Sequence, residues 1–532
     1  MNAITLTIDG REVAVEPGQT ILDAARQLGI DIPTLCFLEK CSPATSCLAC
    51  LVKVKINSQA RFVPSCATKA QPGMVLESET AEVHEARRTA LELLLSDHVG
   101  DCLSPCHRIC PLQLNIPVML RQIENGQMNE AMKQVRQTLP LASVLARLCN
   151  KPCENGCRRG TADEPAAIRE LERYAADASL ALTQPSCFSG SAPTEKRVAI
   201  VGAGPAGLAA SYFLRMKGHS PVVFDRGEKF GGTLRTVDAA LMPPEILDSE
   251  LELLRKAGVQ FRPGICLGET LLLSELRQGF DAVLIATGEV EKEKIDALGV
   301  PVVGSGIKIE SSTFQTSDPR VFAAGSAVKP IKSLVRALAE GKAVAESIGQ
   351  FLNENKIRPR EKAFSSMMGR VESSEVELFL NGCSRAARVI PSAGPAAGFG
   401  LEEAQAEAAR CLHCDCRAAG NCKLQHYAQI YGAEPNRFRQ QRRSFVQHAH
   451  PAGVIFEPGK CILCGICLQL AEQAREPLGL AFIGRGFNVR VGAPFNLAIS
   501  AGLQKAAAEC VENCPTGALS FRLASRKSTG QA

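Results

Sequence analysis

The sequence "KRVAIVGAGPAGLAASYFLRMKGHSPVVFDRGEKFGGTLR" spans residues 196–235 and decides the fold class of the middle of the chain. A β-branched strand leads into Gly202-x-Gly204-x-x-Gly207, an Ala-rich helix follows, and a second strand ends at Asp225. Glycines at this spacing permit a tight turn beside a pyrophosphate, which the helix N-terminus faces, while the acid binds a ribose hydroxyl. Because strand, helix and acid are all in place, the stretch predicts a dinucleotide-binding α/β unit.

Features further along the chain favour FAD as the dinucleotide. The glycine pair in "GEKFGGTLR" is typical of FAD-binding glutathione-reductase-like enzymes, which this unit resembles, and residues 313–348 resemble that family's closing FAD motif. The family has Gly-Asp where this chain has Gly-Ser, and a Ser hydroxyl forms hydrogen bonds but brings no charge. The resemblance implies FAD bound within 195–355, with an empty, vestigial fold as the alternative. The predicted FAD-binding residues are Gly202, Gly204, Gly207, Asp225, Gly231, Gly232, Gly325 and Ser326.

The segment after the strand "VLIATG" is unusually short. Glutamate synthase-like proteins, which this region resembles, continue there into a complete second dinucleotide-binding domain for NADPH. Only 24 residues separate Gly288 from Thr313 in this chain, whereas a βαβ unit needs about 30. We therefore predict that the unit binds FAD and has lost the NAD(P)H domain.

Composition narrows the possible functions. A chain of 532 residues with net charge +5 and no Trp is expected to form three to five domains and shows no basic tract for nucleic acid. No apolar run approaches the length of a membrane span, and the N-terminus resembles a hairpin more than a signal peptide. The 23 cysteines are clustered, so in a cytoplasmic protein they predict metal or iron–sulfur binding.

The alternation of apolar and polar residues in 1–82 predicts a small sheet crossed by one helix. Four cysteines within this segment are separated by ten, two and fifteen residues. The segment resembles the [2Fe–2S] domain of the large iron–sulfur subunit of respiratory complex I and of its hydrogenase and formate dehydrogenase relatives. That resemblance implies a β-grasp fold, with Cys41 as a bystander and a structural zinc loop as the alternative. The predicted ligands are Cys36, Cys47, Cys50 and Cys66.

Residues 83–185 form a helical module with two cysteine trios. They resemble the N-terminal domain of the small subunit of glutamate synthase and of dihydropyrimidine dehydrogenase, a domain that holds two [4Fe–4S] clusters. Six cysteines are present and two Cys₄ sites need eight, so one cluster is predicted and a second stays open. His98 is either an additional ligand or a histidine at a helix C-cap. The predicted ligands are His98, Cys102, Cys106, Cys110, Cys149, Cys153 and Cys157.

A Gly/Ala/Pro-rich stretch marks 356–400 as a linker, and residues 401–440 then carry four close cysteines. Four such cysteines also suit zinc. The string "C-x5-C-K-L-Q" resembles the second, [4Fe–4S] site of the complex I subunit. One ligand of that family site is His, which Cys411 is expected to replace. The predicted set is Cys411, Cys414, Cys416 and Cys422.

Residues 441–525 resemble the bacterial-ferredoxin-like segment of the same subunit. A two-cluster ferredoxin repeats C-x2-C-x2-C-x3-C-P, and each fourth Cys serves the other cluster. Here Ala471 occupies the fourth position of the first run, and Cys510 is the remnant of a second site that has lost its other ligands. One [4Fe–4S] cluster is predicted, on Cys461, Cys464, Cys467 and Cys514.

The order of the modules predicts a multidomain α+β and α/β chimera: a complex I-type iron–sulfur subunit that contains an inserted glutamate synthase-like FAD module. We expect one [2Fe–2S] cluster, three or four [4Fe–4S] clusters and FAD. The expected function is electron transfer within a soluble hetero-oligomeric oxidoreductase, beside an NADH-dehydrogenase-like flavoprotein subunit and other redox subunits. The alternatives are a self-contained NAD(P)H-dependent reductase of the glutamate synthase type and a zinc-filled structural module. No catalytic acid–base pair or nucleophile is predicted.

Overall fold

The computed structural model describes residues 3–56, 59–181, 192–289, 299–304, 306–359, 363–418, 420–451 and 453–522. Most of the charged segment that follows Gly288, residues 290–298, lies outside this description. The strands are β1 (Ile4–Ile8), β2 (Arg11–Val15), β3 (Leu51–Ile56), β4 (Gln59–Pro64), β5 (Val75–Glu77), β6 (Arg197–Val201), β7 (Ser220–Phe224), β8 (Gln260–Arg262), β9 (Ala282–Ile285), β10 (Val302–Val303), β11 (Gly306–Ile307), β12 (Val321–Ala323), β13 (His448–His450), β14 (Val454–Phe456), β15 (Ala481–Ile483), β16 (Arg490–Gly492) and β17 (Leu519–Phe521).

The α-helices alternate with these strands along the chain. They are α1 (Ile21–Gln27), α2 (Ala81–Ser96), α3 (Pro105–Ile109), α4 (Ile116–Glu124), α5 (Met128–Thr138), α6 (Ala142–Leu148), α7 (Pro152–Asn155), α8 (Ile168–Leu180), α9 (Pro205–Met216), α10 (Pro244–Lys256), α11 (Leu273–Gly279), α12 (Leu334–Glu354), α13 (Ser373–Leu380), α14 (Leu401–Ala408), α15 (Lys423–Ile430), α16 (Ile466–Gln473), α17 (Ile499–Gly502) and α18 (Ala507–Glu512).

The chain divides into two compact units. The first comprises Met1–Ser104, Ala363–Gly382 and Leu412–Ala532, and the second comprises Pro105–Lys362 and Cys383–Cys411. The unit boundaries cut through two predicted cysteine modules, 83–185 and 401–440, so cysteines grouped in the sequence analysis belong to different units. The predicted linker 356–400 is also divided, and it contains α13 in the first unit.

The N-terminal part of the first unit is a five-stranded mixed sheet of order β2-β1-β5-β3-β4, in which only the β1–β5 pair is parallel. Helix α1 begins with a reciprocal cap: the N–H of Asp23 donates to Thr20 Oγ1 (3.2 Å), and the N–H of Thr20 donates to Asp23 Oδ2 (2.8 Å). Its buried face, with Ile21 and Leu22, packs against strand residues such as Leu6. This sheet with one helix matches the predicted arrangement and fixes the start of the cysteine loop.

The C-terminal part of the first unit contains an antiparallel sheet of order β13-β14-β17 and the hairpin β15–β16. Helices α16 and α18 pack together with this sheet in one apolar core. Ala471 and Ala507, which occupy two ligand positions of a two-cluster ferredoxin, are buried in that core. Apolar side chains thus fill the region where the second ferredoxin site would lie.

The second unit combines the helices α3–α8 with a five-stranded sheet of order β12-β9-β6-β7-β8 whose neighbouring strands are all parallel. Helix α12 packs tightly on α9, since a Cβ on Gly341 would lie 2.4 Å from the carbonyl O of Ala206. Among the described residues between β9 and β12, the regular structure is the short antiparallel pair β10–β11. The closing segment, 313–348, therefore supplies both the edge strand β12 and a helix against the glycine-rich turn.

Candidate cluster and flavin sites

The four predicted N-terminal ligands are brought together in the loops around β3 and β4. Cys36, Cys47, Cys50 and Cys66 are all buried. Hydrogen bonds from Cys47 and Cys66 lower the pKa of the Cys36 thiol, and a hydrogen bond from Cys66 lowers the pKa of Cys50. These sulfur–sulfur contacts connect all four side chains. Cys41 lies in the same apolar core as Cys36 and Cys47.

A second set of side chains joins two distant stretches of the first unit. Asp101 and Asp415 form a parallel β-bridge, which places the following residues, Cys102 and Cys416, side by side. Burial raises the pKa of Cys102 to about 11, with Cys416 among the neighbouring charges. Burial also raises the pKa of Cys422 to about 12, and Cys416 and Cys102 contribute to that rise. The three thiols therefore lie in one dry environment.

His98 belongs to the same environment. It follows Asp97, the C-cap of α2, and its ring is buried. Burial, with a contribution from Lys460, lowers its pKa to about 4, and its Nδ1 has no hydrogen-bond partner among the described residues. A buried neutral imidazole with an unpaired nitrogen suits metal ligation. Asp97, and not His98, occupies the C-cap position.

Lys460 is a buried cation beside this set that the sequence analysis did not identify. It forms an ion pair with Glu457. Lys460 and His98 both lie beside Gly100: a Cβ on that glycine would lie 2.5 Å from Lys460 Cε and 3.5 Å from His98 Nε2. Burial opposes the charge of Lys460, yet the charges of Cys416 and Glu457 raise its pKa. A fixed positive charge next to thiolates stabilises their anionic form.

The predicted ferredoxin-like set also converges. Burial raises the pKa of Cys461 to about 11 and that of Cys464 to about 12, and Cys514 is a neighbour in both cases. Burial also raises the pKa of Cys467 well above its ordinary value, and Cys461, Cys464, Cys510 and Cys514 contribute. Buried thiols of raised pKa become thiolates when a metal centre supplies positive charge. Cys510 lies against this set, with its Sγ 3.7 Å from the carbonyl O of Cys467.

In the second unit, cysteines from both trios cluster around a buried carboxylate. Burial raises the pKa of Cys149 to about 11 and also raises the pKa of Cys110 and Cys153. The second largest contribution to each of these three shifts is the negative charge of Glu172. Burial raises the pKa of Glu172 itself to about 8. Cys106 is a further neighbour of Cys153. Glu172 is a potential oxygen ligand that the cysteine count missed, although its place on the buried face of α8 gave a signal.

The structure thus regroups the predicted sets. Cys102 and His98 lie in the first unit with Cys414, Cys416 and Cys422, apart from the trio to which Cys102 was assigned. Cys411, predicted to replace a histidine ligand in that site, lies in the second unit, where it packs on the same core as Cys157. The boundary between the two units thus falls within the predicted set 411–422, directly after Cys411. Among the described residues, no three or more Cys, His, Asp or Glu side chains converge closely enough to hold a single metal ion.

The predicted flavin glycines surround the N-terminus of α9. A Cβ on Gly202, where φ is +107°, would lie 2.3 Å from the carbonyl O of Ala286, and one on Gly207 would lie 2.0 Å from the carbonyl O of Gly202. A Cβ on Gly204 would meet nothing within 4 Å. The first and third glycines are therefore required by packing, and Gly204 borders open space at the helix N-terminus, as a pyrophosphate cradle requires.

Three residues beside this cradle, Asp225, Gly325 and Ser326, form hydrogen bonds within the chain. Asp225 accepts from the N–H of Ala203 at 2.6 Å and from the N–H of Gly227 at 2.8 Å, which fixes its carboxylate beside the glycine turn. The Ser326 hydroxyl oxygen accepts from the N–H of Ile331 at 3.1 Å. The preceding Gly325 N–H donates to Glu340 Oε2 at 3.0 Å. A carboxylate is thus present next to the position where the flavoenzyme family has its Asp, but it comes from α12.

The second glycine pair completes the cradle. A Cβ on Gly232, where φ is +52°, would lie 3.0 Å from the Cα of Gly204, and the N–H of Gly231 donates to the carbonyl O of Ala203 at 3.0 Å. A Cβ on Gly325 would lie 2.9 Å from the Cβ of Ala206. All the glycines predicted for FAD therefore lie around one turn of the second unit.

Three stretches of the chain match models of known domain families. Residues 1–81 match a model for a 2Fe-2S iron-sulfur cluster binding domain, residues 76–183 match dihydropyrimidine dehydrogenase domain II with its 4Fe-4S cluster, and residues 200–258 match an NAD(P)-binding Rossmann-like domain. The chain contains a [2Fe–2S] domain, a [4Fe–4S] domain and a Rossmann-like domain. No helix of the described residues has the length and apolar character that crossing a membrane requires.

The chain is also similar to parts of several curated proteins. It is 35% identical over 207 residues to the NADP(+)-dependent formate dehydrogenase subunit beta of Moorella thermoacetica, which covers 35% of this chain and 29% of that protein. It is 35% identical over 190 residues to the glutamate synthase [NADPH] small chain of Mycobacterium tuberculosis, or 35% of this chain and 39% of that one. The chain spans less than half the length of each of these relatives.

Two further similarities concern hydrogenases. The NADP-reducing hydrogenase subunit HndD of Solidesulfovibrio fructosivorans is 39% identical over 167 residues, which cover 30% of this chain and 28% of that subunit. A chain in a solved structure of NAD⁺-reducing [NiFe]-hydrogenase is 37% identical over the aligned part, with a TM-score of 0.16. The aligned part covers 18% of this chain and 39% of the hydrogenase chain. The similarities thus extend to subunits of formate dehydrogenase, glutamate synthase and hydrogenase.

Proposed function

We propose that this chain is the iron–sulfur and FAD electron-transfer subunit of a multisubunit oxidoreductase. It relays electrons between an NAD(P)H-oxidising flavoprotein, or a similar donor, and another redox subunit. The observation that carries the proposal is the presence, in one chain, of several separate buried sets of thiols and a glycine-lined dinucleotide cradle. Each set gathers buried or partly buried thiols, the ligand type that iron–sulfur clusters require.

The regrouped side chains define the proposed ligand sets. Cys36, Cys47, Cys50 and Cys66 hold the [2Fe–2S] cluster within 1–82. In the first unit, one [4Fe–4S] cluster is held by His98, Cys102, Cys416 and Cys422, and a second is held by Cys461, Cys464, Cys467 and Cys514 in the ferredoxin-like part, 441–525. In the second unit, Glu172 with Cys110, Cys149 and Cys153 supplies four donors for a third. Cys106, Cys157 and Cys411 remain for a further cluster.

FAD is the proposed occupant of the cradle in 195–355. When bound, FAD exchanges electron pairs on one side and single electrons on the other, which iron–sulfur clusters cannot do alone. The chain's own contribution is the cradle: Gly204 leaves room for the pyrophosphate, Asp225 is held toward the ribose, and Ser326 with Glu340 supplies polar groups. The glycine pair after Asp225 supports FAD over a nicotinamide dinucleotide.

The proposed assembly is a hetero-oligomer in the cytoplasm, with an NADH-dehydrogenase-like flavoprotein among its partners. The similar proteins are themselves subunits or a small chain, which supports a partner-dependent role.

Anaerobic purification of the native assembly tests the proposal. We expect iron, acid-labile sulfide and FAD in this chain, and electron paramagnetic resonance signals from both cluster types after reduction with dithionite. NADH or NADPH added to the isolated chain should leave the flavin oxidised. Rapid bleaching of the flavin by either nucleotide would favour a self-contained reductase, and zinc without iron would rule out the electron-transfer function.

A further inference from the structure

Exposed apolar side chains concentrate on one short part of the first unit. The hairpin β15–β16 and its flanks expose five large apolar side chains, which we call the apolar patch: Leu478, Phe482, Phe487, Phe495 and Leu497. Phe487 is 91% exposed and Phe495 is 85% exposed. Single exposed apolar residues are ordinary, but five on one stretch of 20 residues, three of them aromatic, mark an interaction surface.

The backbone holds part of this patch in an unfavourable conformation. Phe495 has a φ of +60° and Asn496 a φ of +56°, a region that bulky L-residues rarely adopt. The flanking Ala493 and Ile499 are buried and fix the ends of the turn. The surrounding fold therefore maintains a costly backbone conformation at a side chain that contacts almost nothing, and backbone strain of this kind concentrates at functional sites.

The patch lies directly against a proposed cluster loop. The ring of Phe482 lies 3.7 Å from the position of a Cβ on Gly465, and Gly465 follows Cys464 in the loop that leads to Cys467. Opposite Phe482 in the hairpin, Val491 is buried in the same core as Cys464. One face of the hairpin thus covers the cluster loop while Phe482, which touches that loop, is half exposed to solvent.

Within the stretch that carries the patch, the charged side chains have a single sign, and Glu476 borders the stretch at its start. Residues 477–504 include Arg485 and Arg490 and contain no Asp or Glu. We propose that the apolar patch is the docking surface for a redox partner subunit whose facing surface is apolar at its centre and acidic at its rim. The inference rests on the proposed function, since it makes this surface the place where electrons leave or enter the cluster on Cys461, Cys464, Cys467 and Cys514. One electron crosses in each event, one partner being oxidised as the other is reduced, and no atom is transferred.

Other occupants fit the patch less well. A second copy of this chain would bring Arg485 and Arg490 against the same positive surface, because a two-fold interface joins a patch to itself. Recognition of anionic lipid typically requires clusters of four to eight basic residues, and this stretch has two. A partner with acidic side chains around an apolar centre satisfies both the charge and the aromatic content of the patch.

Site-specific cross-linking tests the identity of the occupant. The full chain with p-benzoylphenylalanine in place of Phe487 is assembled anaerobically in its native complex and irradiated, with Ile390, an exposed apolar residue of the second unit, carrying the same cross-linker as the control position. We expect Phe487 to cross-link to a peptide of a cofactor-containing redox subunit with Asp or Glu nearby. Cross-links to a second copy, to lipid or to no macromolecule would overturn the proposal.

Electron transfer by variants separates this inference from the proposed function. We expect the double variant F487S/F495S to reduce electron exchange with the native partner at least tenfold, while reduction by dithionite and the cluster signals stay unchanged. The matched variant L241S/I390S, also at exposed positions, should leave the exchange unchanged. Unchanged exchange in F487S/F495S would overturn the docking surface alone, whereas clusters absent from the wild-type chain would overturn the proposed function.

Discussion

Asp101 and Asp415 pair as neighbours in a parallel β-bridge, although residues 105–411 lie between them in sequence. The pairing aligns two Asp-Cys dipeptides, so Cys102 and Cys416 become neighbours in one buried environment. Further contacts tie the segment 363–368 to the same place: the N–H of Met368 donates to Asp101 Oδ1 at 3.1 Å, and the N–H of Ser366 lies 3.4 Å from Cys102 Sγ. One candidate site is thus assembled from widely separated parts of the sequence.

The first prediction concerns His98 in that site. Because its buried Nδ1 lacks a hydrogen-bond partner, we expect the variant H98A to lose one [4Fe–4S] cluster, or about four iron atoms per chain. The variant H98C should keep the iron but change the electron paramagnetic resonance spectrum, because a thiolate would replace the imidazole. Iron analysis and electron paramagnetic resonance measure both effects. Replacement of the half-exposed His84 by Ala is the control, and full iron in H98A would exclude ligation by His98.

Glu172 in the second unit gives a parallel test. Its carboxylate is buried among Cys110, Cys149 and Cys153, so the variant E172A should lose a cluster signal, and E172C should restore it by supplying a thiolate. The exposed Glu130 of the same unit serves as the control, with E130A expected to match the wild type. If E172A retains every cluster signal with its normal line shape, Glu172 has a structural role only.

Gly204 distinguishes flavin binding from folding. Since a Cβ there would meet no protein atom within 4 Å, the variant G204A should fold normally but intrude on a bound pyrophosphate. We expect FAD affinity to fall at least about tenfold, which corresponds to about 1.4 kcal/mol. Flavin absorbance after dialysis measures the loss. The control G279A, also at an open position, should retain the flavin, and a flavin content in G204A equal to that of the wild type would contradict the cradle.

The Glu375–Arg442 ion pair predicts a pH dependence of stability. Two hydrogen bonds from Arg442, at 2.6 and 2.8 Å, and one from the N–H of Phe445 hold the Glu375 carboxylate and lower its pKa from 4.5 to about 2. A lowered carboxyl pKa stabilises the fold above the ordinary value, and the gain is lost as the pH falls from 4.5 toward 2. The variant E375Q should lower the free energy of unfolding at pH 7 by about 1–3 kcal/mol.

Urea unfolding of the chain under anaerobic conditions at several pH values measures this effect. The difference between the wild type and E375Q should shrink as the medium is acidified through that interval. The variant E377Q, at an exposed position of the same helix, is the matched control and should unfold at the urea midpoint of the wild type. A constant difference at all pH values would show that the carboxylate charge contributes nothing.

Local sequence was sufficient for sites whose residues lie close together in the chain. The Gly202–Gly207 turn and the proximity of Cys36, Cys47, Cys50 and Cys66 follow from local sequence, because short loops between regular elements allow few arrangements. The ligand sets to which Cys102 and Cys411 were assigned remain predictions. Spacing gave no signal for Glu172 or Lys460, because burial decides whether a charged side chain faces buried thiols or solvent.

By itself, the sequence determined which chemistry this chain carries: thiols in clusters, a glycine turn followed by an acid, and a segment after Gly288 too short for a second dinucleotide domain. Those properties depend on residue type and on spacing of a few positions, which the covalent chain dictates. Only the tertiary structure decided which distant side chains share a site, as with Cys102 and Cys416. Such pairing depends on a β-bridge between segments remote in sequence and on the burial of their side chains. Neither can be predicted from the spacing of neighbouring residues.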